Sequence, residues 1–256
     1  MLKLIKYEFL RKYKLIAITV VSAAALNLFL MTRGAAGSAS FLMLFPMVLA
    51  VMYVSDVIRM YSDDLNKKSG YMLFMTPNSG YKIIVSKLAA AVLEGLGILL
   101  LYFVFILING AVMVYQTRRF IDFSEIMEDI NILLSGNIGI NLGHIFIFLF
   151  AALVFVIGFI VTVYTAMTIR KSIFSEIRFG GLLSFIIFIA LNWALTYSSE
   201  KIYSLVSPYY GSSMNAAGIS PSELAVMVFP VIAVSIIQSI ALTIGSGYLL
   251  EKKINL

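Results

Sequence analysis

Four ionisable side chains border long apolar runs of this sequence and are the first candidates for chemistry. Asp56 and Arg59 lie three residues apart, a spacing at which two side chains share one helix face and form an ion pair. Glu94 precedes an apolar run that is long enough to cross a bilayer. An acidic group at the bilayer centre costs about 2.5–3.5 kcal/mol, so we place Glu94 near the membrane edge. There it either pairs with a cytoplasmic lysine or lines the inner entrance. His144 has no second histidine and no acidic neighbour in the sequence, so we predict no metal site.

Catalytic and nucleotide-binding motifs are missing from the sequence. There is no cysteine and only 1 histidine, which excludes thiolate chemistry and histidine-based metal motifs. The phosphate-binding pattern G-x-x-x-x-G-K-[ST] does not occur, and no glycine is directly followed by lysine. We therefore predict that the chain is not an enzyme and that it binds no cofactor of its own.

The composition predicts that membrane-spanning helices position these residues. Apolar residues make up 61% of the chain and charged residues 12%, with a mean hydropathy of +0.98. A bilayer core needs roughly 20 residues of helix, and lipid offers no partner to unpaired backbone groups. We predict an all-α integral membrane protein in which residues 15–256 form a single transmembrane domain. Its six spans lie at approximately 15–32, 38–58, 90–115, 144–169, 180–198 and 224–250.

The basic residues predict the orientation of these spans. Most of the 19 lysines and arginines fall at the N-terminus, in the loops after the second and fourth spans, and in the C-terminal tail. Basic residues collect on the cytoplasmic side of a membrane. Both termini are therefore expected in the cytoplasm of a multi-pass protein of the cytoplasmic membrane. The net charge of +6 is explained by this bias, so we expect no nucleic-acid partner.

Residues 1–14 carry a pattern of their own. At helical spacing Leu2, Ile5, Phe9 and Tyr13 form one narrow apolar face. Basic residues lie at its edges, Lys6 and Lys12, and opposite it, Lys3, Arg11 and Lys14. This pattern is typical of an amphipathic helix lying in the membrane interface, in contact with lipid. A basic flank that only orients the first span is the other interpretation.

The loop between the second and third spans contains a short apolar turn that cannot cross the membrane. The turn includes Tyr71, Leu73 and Phe74, and Pro77 ends it. Such a turn predicts a short helix parallel to the membrane. Its apolar side chains need a cover, either headgroups or a protein groove that accepts a helix.

The chain resembles, over its whole length, the type-2 (ABC-2) membrane permease subunits of ATP-binding-cassette exporters. That family has an interfacial N-terminal helix, six spans and a coupling helix in this loop, with the pattern acidic-x(n)-G-x-x-x-x-L-x-x-x-P-x-[ST] followed by lysine. The sequence matches this pattern loosely, because two residues rather than four separate the glycine from the leucine; the corresponding residues are Asp63, Asp64, Gly70, Leu73, Pro77, Ser79 and Lys87. The sequence departs from the pattern at Gly80, where the family often has arginine.

The resemblance implies two partners. One is a cytosolic ATP-binding-cassette ATPase subunit, which binds the ATP and magnesium and accepts the coupling helix. The other is a second permease subunit, identical or a sister chain. Implied coupling residues are Asp64, Gly70, Tyr71, Leu73, Phe74 and Pro77, with Phe174 and Glu176 in a smaller second contact. For that second loop a solvated basic turn is an equal alternative.

The implied function is export of a hydrophobic or amphipathic substrate, such as a drug, a peptide or a lipid-like molecule. In the family fold the second and fifth spans form the dimer seam, which makes Met43, Phe45, Met47, Asn192 and Trp193 candidates for the substrate pathway. Helix packing or lipid contact is the alternative for each of them. A secondary transporter without an ATPase is the alternative function, although the sequence lacks the paired midplane charges expected of one.

Overall fold

The structure, a computed structural model, describes residues 2–66, 79–117, 142–174, 180–206 and 221–252. These ranges contain helices and no strand. The helices are α1 (Leu2–Met31), α2 (Ala35–Asn66), α3 (Gly80–Thr117), α4 (Leu142–Ile173), α5 (Gly180–Val206) and α6 (Pro221–Lys252). All 6 are long and apolar enough to cross a membrane. For the described residues this confirms the prediction of a helical, multi-pass membrane protein with six helices long and apolar enough to span.

The helices are longer than the predicted spans. α3 has 38 residues, which corresponds to about 57 Å at 1.5 Å per residue, whereas a bilayer core is about 30 Å thick. α1 runs continuously from Leu2 to Met31, so residues 2–14 and most of the first predicted span belong to one helix. The interfacial position of residues 1–14 stays a prediction. Charged residues therefore lie on continuous helices that extend beyond the apolar runs.

The chain divides into two compact units. Unit 1 contains residues 1–60 and 89–129, and unit 2 contains residues 61–88 and 130–256. In unit 1 the core is an aromatic cluster of Phe41, Phe45 and Phe105, whose ring centroids lie 4.6–5.3 Å apart. Such pairs contribute about 0.5–1.5 kcal/mol each beyond burial, so this cluster holds α2 against α3.

In unit 2, α4 packs against both α5 and α6. The last turns of α2 join this unit through Tyr61, whose ring stacks on Tyr164 of α4 at 4.4 Å. The Tyr61 hydroxyl also lies 2.5 Å from the hydroxyl of Thr168. Both tyrosines are fully buried, so the end of α2 is fixed to the end of α4.

Gly34 makes the tight turn between α1 and α2 in unit 1. Its φ is +80°, and no atom lies within 4 Å of the place that a Cβ would take. Replacing Gly34 with alanine should therefore cost about 1–2 kcal/mol through backbone conformation alone. The measurement is the thermal unfolding of the purified protein in detergent. Gly97→Ala is the matched control, because Gly97 is helical and equally uncrowded, and we expect it to be neutral or slightly stabilising.

Candidate functional site

A buried ionic cluster joins the three helices of unit 1. The Lys12 ammonium of α1 donates a hydrogen bond to the Asp56 carboxylate of α2, and another to Oε2 of Glu94 of α3 at 2.8 Å. The three side chains are only 8%, 14% and 12% exposed. We call Lys12, Asp56 and Glu94 the ionic triad. With both carboxylates ionised it carries a formal charge of −1.

The triad lies where the apolar run of each helix meets charged sequence. Lys12 stands three residues before the apolar run that begins at Leu15. Asp56 is the first charged residue after the apolar part of α2, and Glu94 directly precedes the apolar part of α3. These charges therefore lie at the ends of the apolar runs rather than in their middle, where the cost of burying them in a bilayer would be largest.

The triad corrects one sequence prediction and decides another. The expected partner of Asp56 was Arg59, but the ion pair that the structure gives Asp56 is with Lys12. For Glu94 the structure favours pairing with a lysine over lining an entrance. Lys12 itself was placed at the edge of an exposed apolar face, whereas it is 8% exposed. Local spacing missed these contacts because the partners lie 44 and 82 residues from Lys12.

Further contacts in unit 1 support the triad. Arg11 donates to the backbone carbonyl of Met60 at 3.3 Å, which adds a second link between α1 and α2. Arg11 also pairs with Glu8 of its own helix at 2.9 Å. The Tyr53 hydroxyl donates to the carbonyl of Ala91 at 3.0 Å. The Tyr53 ring lies directly over Gly95, where a Cβ would come within 3.0 Å of the hydroxyl. The neighbours of Asp56 and Glu94 along their helices are therefore held in place as well.

A second buried ion pair lies in unit 2. Lys87 of α3 contacts Oδ2 of Asp64 near the end of α2 at 2.5 Å, and the two side chains are 2% and 5% exposed. Asp64 is one of the predicted coupling residues. The pair ties the end of α2 to the start of α3, on either side of residues 67–78.

Arg170 brings a second loop to the same unit. Its guanidinium donates to Oδ1 of Asn66, the last residue of α2, at 2.7 Å. It also fills the space beside Gly180, the first residue of α5. Phe174, which ends this described range of the chain, donates its backbone N–H to the Arg170 carbonyl at 2.9 Å and has a 38% exposed side chain. Arg170 thus contacts both the last residue of α2 and the first residue of α5.

The close approach of α3 and α6 gives a packing reason for Gly80. A Cβ on Gly80 would lie 2.9 Å from the carbonyl oxygen of Gly247, and a Cβ on Gly247 would overlap the Tyr81 ring. Arginine, which the resemblance led us to expect at position 80, would not fit this contact. The departure from the family pattern is therefore explained by tight helix packing within unit 2.

Replacing Gly247 with alanine should force α6 away from Tyr81. We expect a loss of about 1–3 kcal/mol, the usual cost of overpacking a tight contact. Gly245→Ala is the matched control two residues away on the same helix, since nothing lies within 4 Å of its added Cβ. Thermal unfolding in detergent should separate the two variants. Equal unfolding temperatures would contradict the close contact.

The predicted coupling residues fall into two groups. Gly70, Tyr71, Leu73, Phe74, Pro77 and Glu176 lie outside the described residues, so their coupling role stays a prediction. Asp64 and Phe174 both belong to unit 2.

The pathway candidates are divided between the two units. In unit 1, Met43 and Met47 are 78% and 67% exposed, whereas Phe45 is buried in the aromatic cluster. In unit 2, Asn192 donates to the carbonyl of Phe188 in its own helix at 2.9 Å, and Trp193 is 72% exposed and stacks on Tyr197. Phe45 thus takes part in helix packing, while the two methionines and Trp193 present surface.

Comparisons with family models, with curated proteins and with solved structures find no match to this chain. Within the described ranges, no three or more histidine or acidic side chains come together in a way that would hold a metal ion. The class of the protein follows from its six long apolar helices, which indicate a multi-pass membrane protein. Its particular activity has to be argued from the two buried charge clusters and the loops that they anchor.

Proposed function

We propose that this chain is the permease subunit of an ATP-driven exporter, powered by a separate nucleotide-binding subunit. Its cargo would be hydrophobic or amphipathic, because the six spans are apolar. The sequence resemblance to type-2 permeases raised this function. The observation that carries it is a pair of contacts in unit 2, the Lys87–Asp64 ion pair and the Arg170–Asn66 hydrogen bond, which we call the clamp. The clamp lies beside two loops that are predicted to face the cytoplasm.

The clamp suits a loop that receives force from a partner. Lys87 and Asp64 hold both helices that flank residues 67–78. Arg170 of α4 contacts Asn66 at the end of the same helix and Gly180 at the start of α5. A partner that displaced residues 67–78 would therefore pull directly on α2, α3 and α4. Unclamped loop ends would absorb the displacement instead. The buried ion pair and the Tyr61 contacts give the rigidity that such transmission needs.

Within this proposal the chain itself hydrolyses no ATP. It lacks a phosphate-binding motif, so ATP and magnesium would be held by the partner. A second permease subunit, either a second copy or a sister chain, would complete the pathway. Met43, Met47 and Trp193 remain the candidates for substrate contact, because they are exposed along spanning helices.

The test is co-purification from the native membrane in mild detergent. We expect an ATPase subunit to accompany the wild-type chain and to be lost from the double variant Leu73→Asp, Phe74→Asp, since two carboxylates should prevent an apolar helix from entering a groove. The matched control is Leu205→Asp, at a 73% exposed position near the end of α5. It should keep the ATPase. An ATPase that stays with the double variant would contradict coupling through this loop.

A secondary transporter is the second candidate, and the ionic triad is the observation that favours it. Ionisable groups buried in a membrane protein are functional candidates by default, and ion-coupled transporters use such carboxylates. If no ATPase accompanies the wild-type chain, transport should be measured in vesicles with an imposed ion gradient. Uptake that follows the gradient and is lost in Glu94→Gln would favour this alternative.

A further inference from the structure

A groove between α5 and α6 in unit 2 carries features of a ligand site. It has a volume of about 250 Å³, just below the range of roughly 300–1,000 Å³ typical of small-molecule pockets. Ile202 of α5 and Val231 and Val234 of α6 form its apolar walls. Pro230, which lies inside α6, also lines the groove. The groove is open along one side.

A polar contact joins α5 to α6 beside the groove. The side-chain amide nitrogen of Gln238, one turn beyond Val234, lies within hydrogen-bond distance of three acceptors on α5. These are the hydroxyls of Ser198 at 2.9 Å and Ser199 at 3.0 Å and the carbonyl of Leu195 at 3.1 Å, which its two N–H groups share. Since Ser199 also lines the groove, this network holds α5 against α6 next to it.

A carboxylate stands on the wall of this apolar groove. Glu200 lines it together with the Tyr203 ring, three residues later on the same helix face. Among the described residues Glu200 has no ion pair and no hydrogen bond. The adjacent Lys201 does not neutralise it, because its ammonium lies over the Tyr197 ring at 5.6 Å. The groove thus combines apolar walls with one negative charge and one aromatic face.

We propose that this groove binds a single-chain cationic amphiphile, with its amine or quaternary ammonium at Glu200 and Tyr203 and its alkyl chain along Val231 and Val234. The carboxylate complements the positive head, and an aromatic face attracts a cation within about 6 Å. The apolar walls match an alkyl chain, and the small volume admits one chain rather than two. The assignment is independent of the export proposal, because binding requires neither ATP nor a partner subunit.

The experiment uses Trp193, which is the only tryptophan in the chain. It lies seven residues before Glu200 on α5, about 10 Å along the helix and on the same side. The purified full-length protein in lipid nanodiscs is titrated with a dodecyl-dimethylammonium nitroxide, and quenching of Trp193 fluorescence is recorded. An uncharged dodecyl nitroxide measures quenching that arises from membrane partitioning alone. Unlabelled dodecyltrimethylammonium is then added to displace bound probe.

We expect saturable quenching by the cationic probe, reversed by dodecyltrimethylammonium, and a linear response to the uncharged probe. Glu200→Gln should raise the half-saturating concentration about fivefold, the upper range for one exposed ion pair. Val234→Phe should abolish saturation by filling the groove. Ile237→Phe is its control on α6, at a position that is 66% exposed, and should bind as the wild type does.

Three results would overturn the assignment. The first is linear quenching by both probes in the wild type, which means partitioning only. The second is saturable quenching that Glu200→Gln and Val234→Phe leave unchanged, which places the probe elsewhere. The third is loss of saturation in nanodiscs of choline phospholipid but not in nanodiscs without choline, which means that a lipid headgroup is the occupant. None of these outcomes bears on the co-purification test of the export proposal.

Discussion

Replacing Lys12 with methionine is expected to destabilise the protein by about 3–5 kcal/mol, the usual cost of breaking a buried ion pair from one side. The side chains of Asp56 and Glu94 are only 14% and 12% exposed, and the variant would take from them the ammonium that they share. Methionine keeps most of the side-chain volume, so the loss would report the charge rather than a cavity. The measurement is thermal unfolding followed by fluorescence-detected size exclusion in detergent.

Two comparisons sharpen this prediction. Lys14→Met is the matched control, because Lys14 lies on the same helix and is exposed, and it should change stability little. The triple variant Lys12→Met, Asp56→Asn, Glu94→Gln should recover most of the loss, since it removes all three charges together. If Lys12→Met unfolds at the wild-type temperature, the triad does not hold α1 against α2 and α3.

Replacing Lys87 with methionine should be similarly damaging. Lys87 is 2% exposed and Asp64 is 5% exposed, so the single change would leave a carboxylate buried beside an apolar side chain. We expect a loss of about 3–5 kcal/mol. The double variant Lys87→Met, Asp64→Leu should be much less affected, because replacing both members of a buried pair by apolar groups is often nearly neutral.

The Lys87 series also tests the proposed coupling. Lys82→Met, at an exposed position on the same helix, is the control for the loss of one basic residue and should unfold as the wild type does. If the pair serves coupling as well as stability, the double variant should fold and retain the ATPase subunit but show less substrate-stimulated ATP hydrolysis. Full stimulation in a stable double variant would assign Asp64 and Lys87 to stability alone.

The two clusters differ in how predictable they were. Asp64 and Lys87 were singled out because they match a family pattern, yet their contact was not anticipated. For Asp56 the choice of Arg59 followed the helix rule of three residues, which applies only when no better partner lies on a neighbouring helix. Lys12 is such a partner, and it belongs to a segment whose pattern indicated an exposed interfacial face. A buried lysine inside an amphipathic pattern is visible only when the packing partner is known.

The aromatic and small residues show the same division. The sequence marked Phe45 as a pathway candidate, while the structure packs it between Phe41 and Phe105. Gly80 was noticed only as a departure from a family pattern, and its contact with Gly247 supplies the reason. The groove at Glu200 and Tyr203 gave no sequence signal, because its two walls lie on helices whose contact is not encoded in either one alone.

The sequence by itself determined the class of the protein, the number of spanning helices and where their apolar runs end. These are local properties, because a bilayer requires about 20 apolar residues and internal backbone hydrogen bonds from each segment separately. Only the tertiary structure decided which charges pair, which glycines allow close approach and which aromatic residues are buried. Those outcomes depend on the side chains that a neighbouring helix supplies, tens of residues away. Lys12 joins Asp56 and Glu94 across 44 and 82 residues, and no pattern within a single helix carries that information.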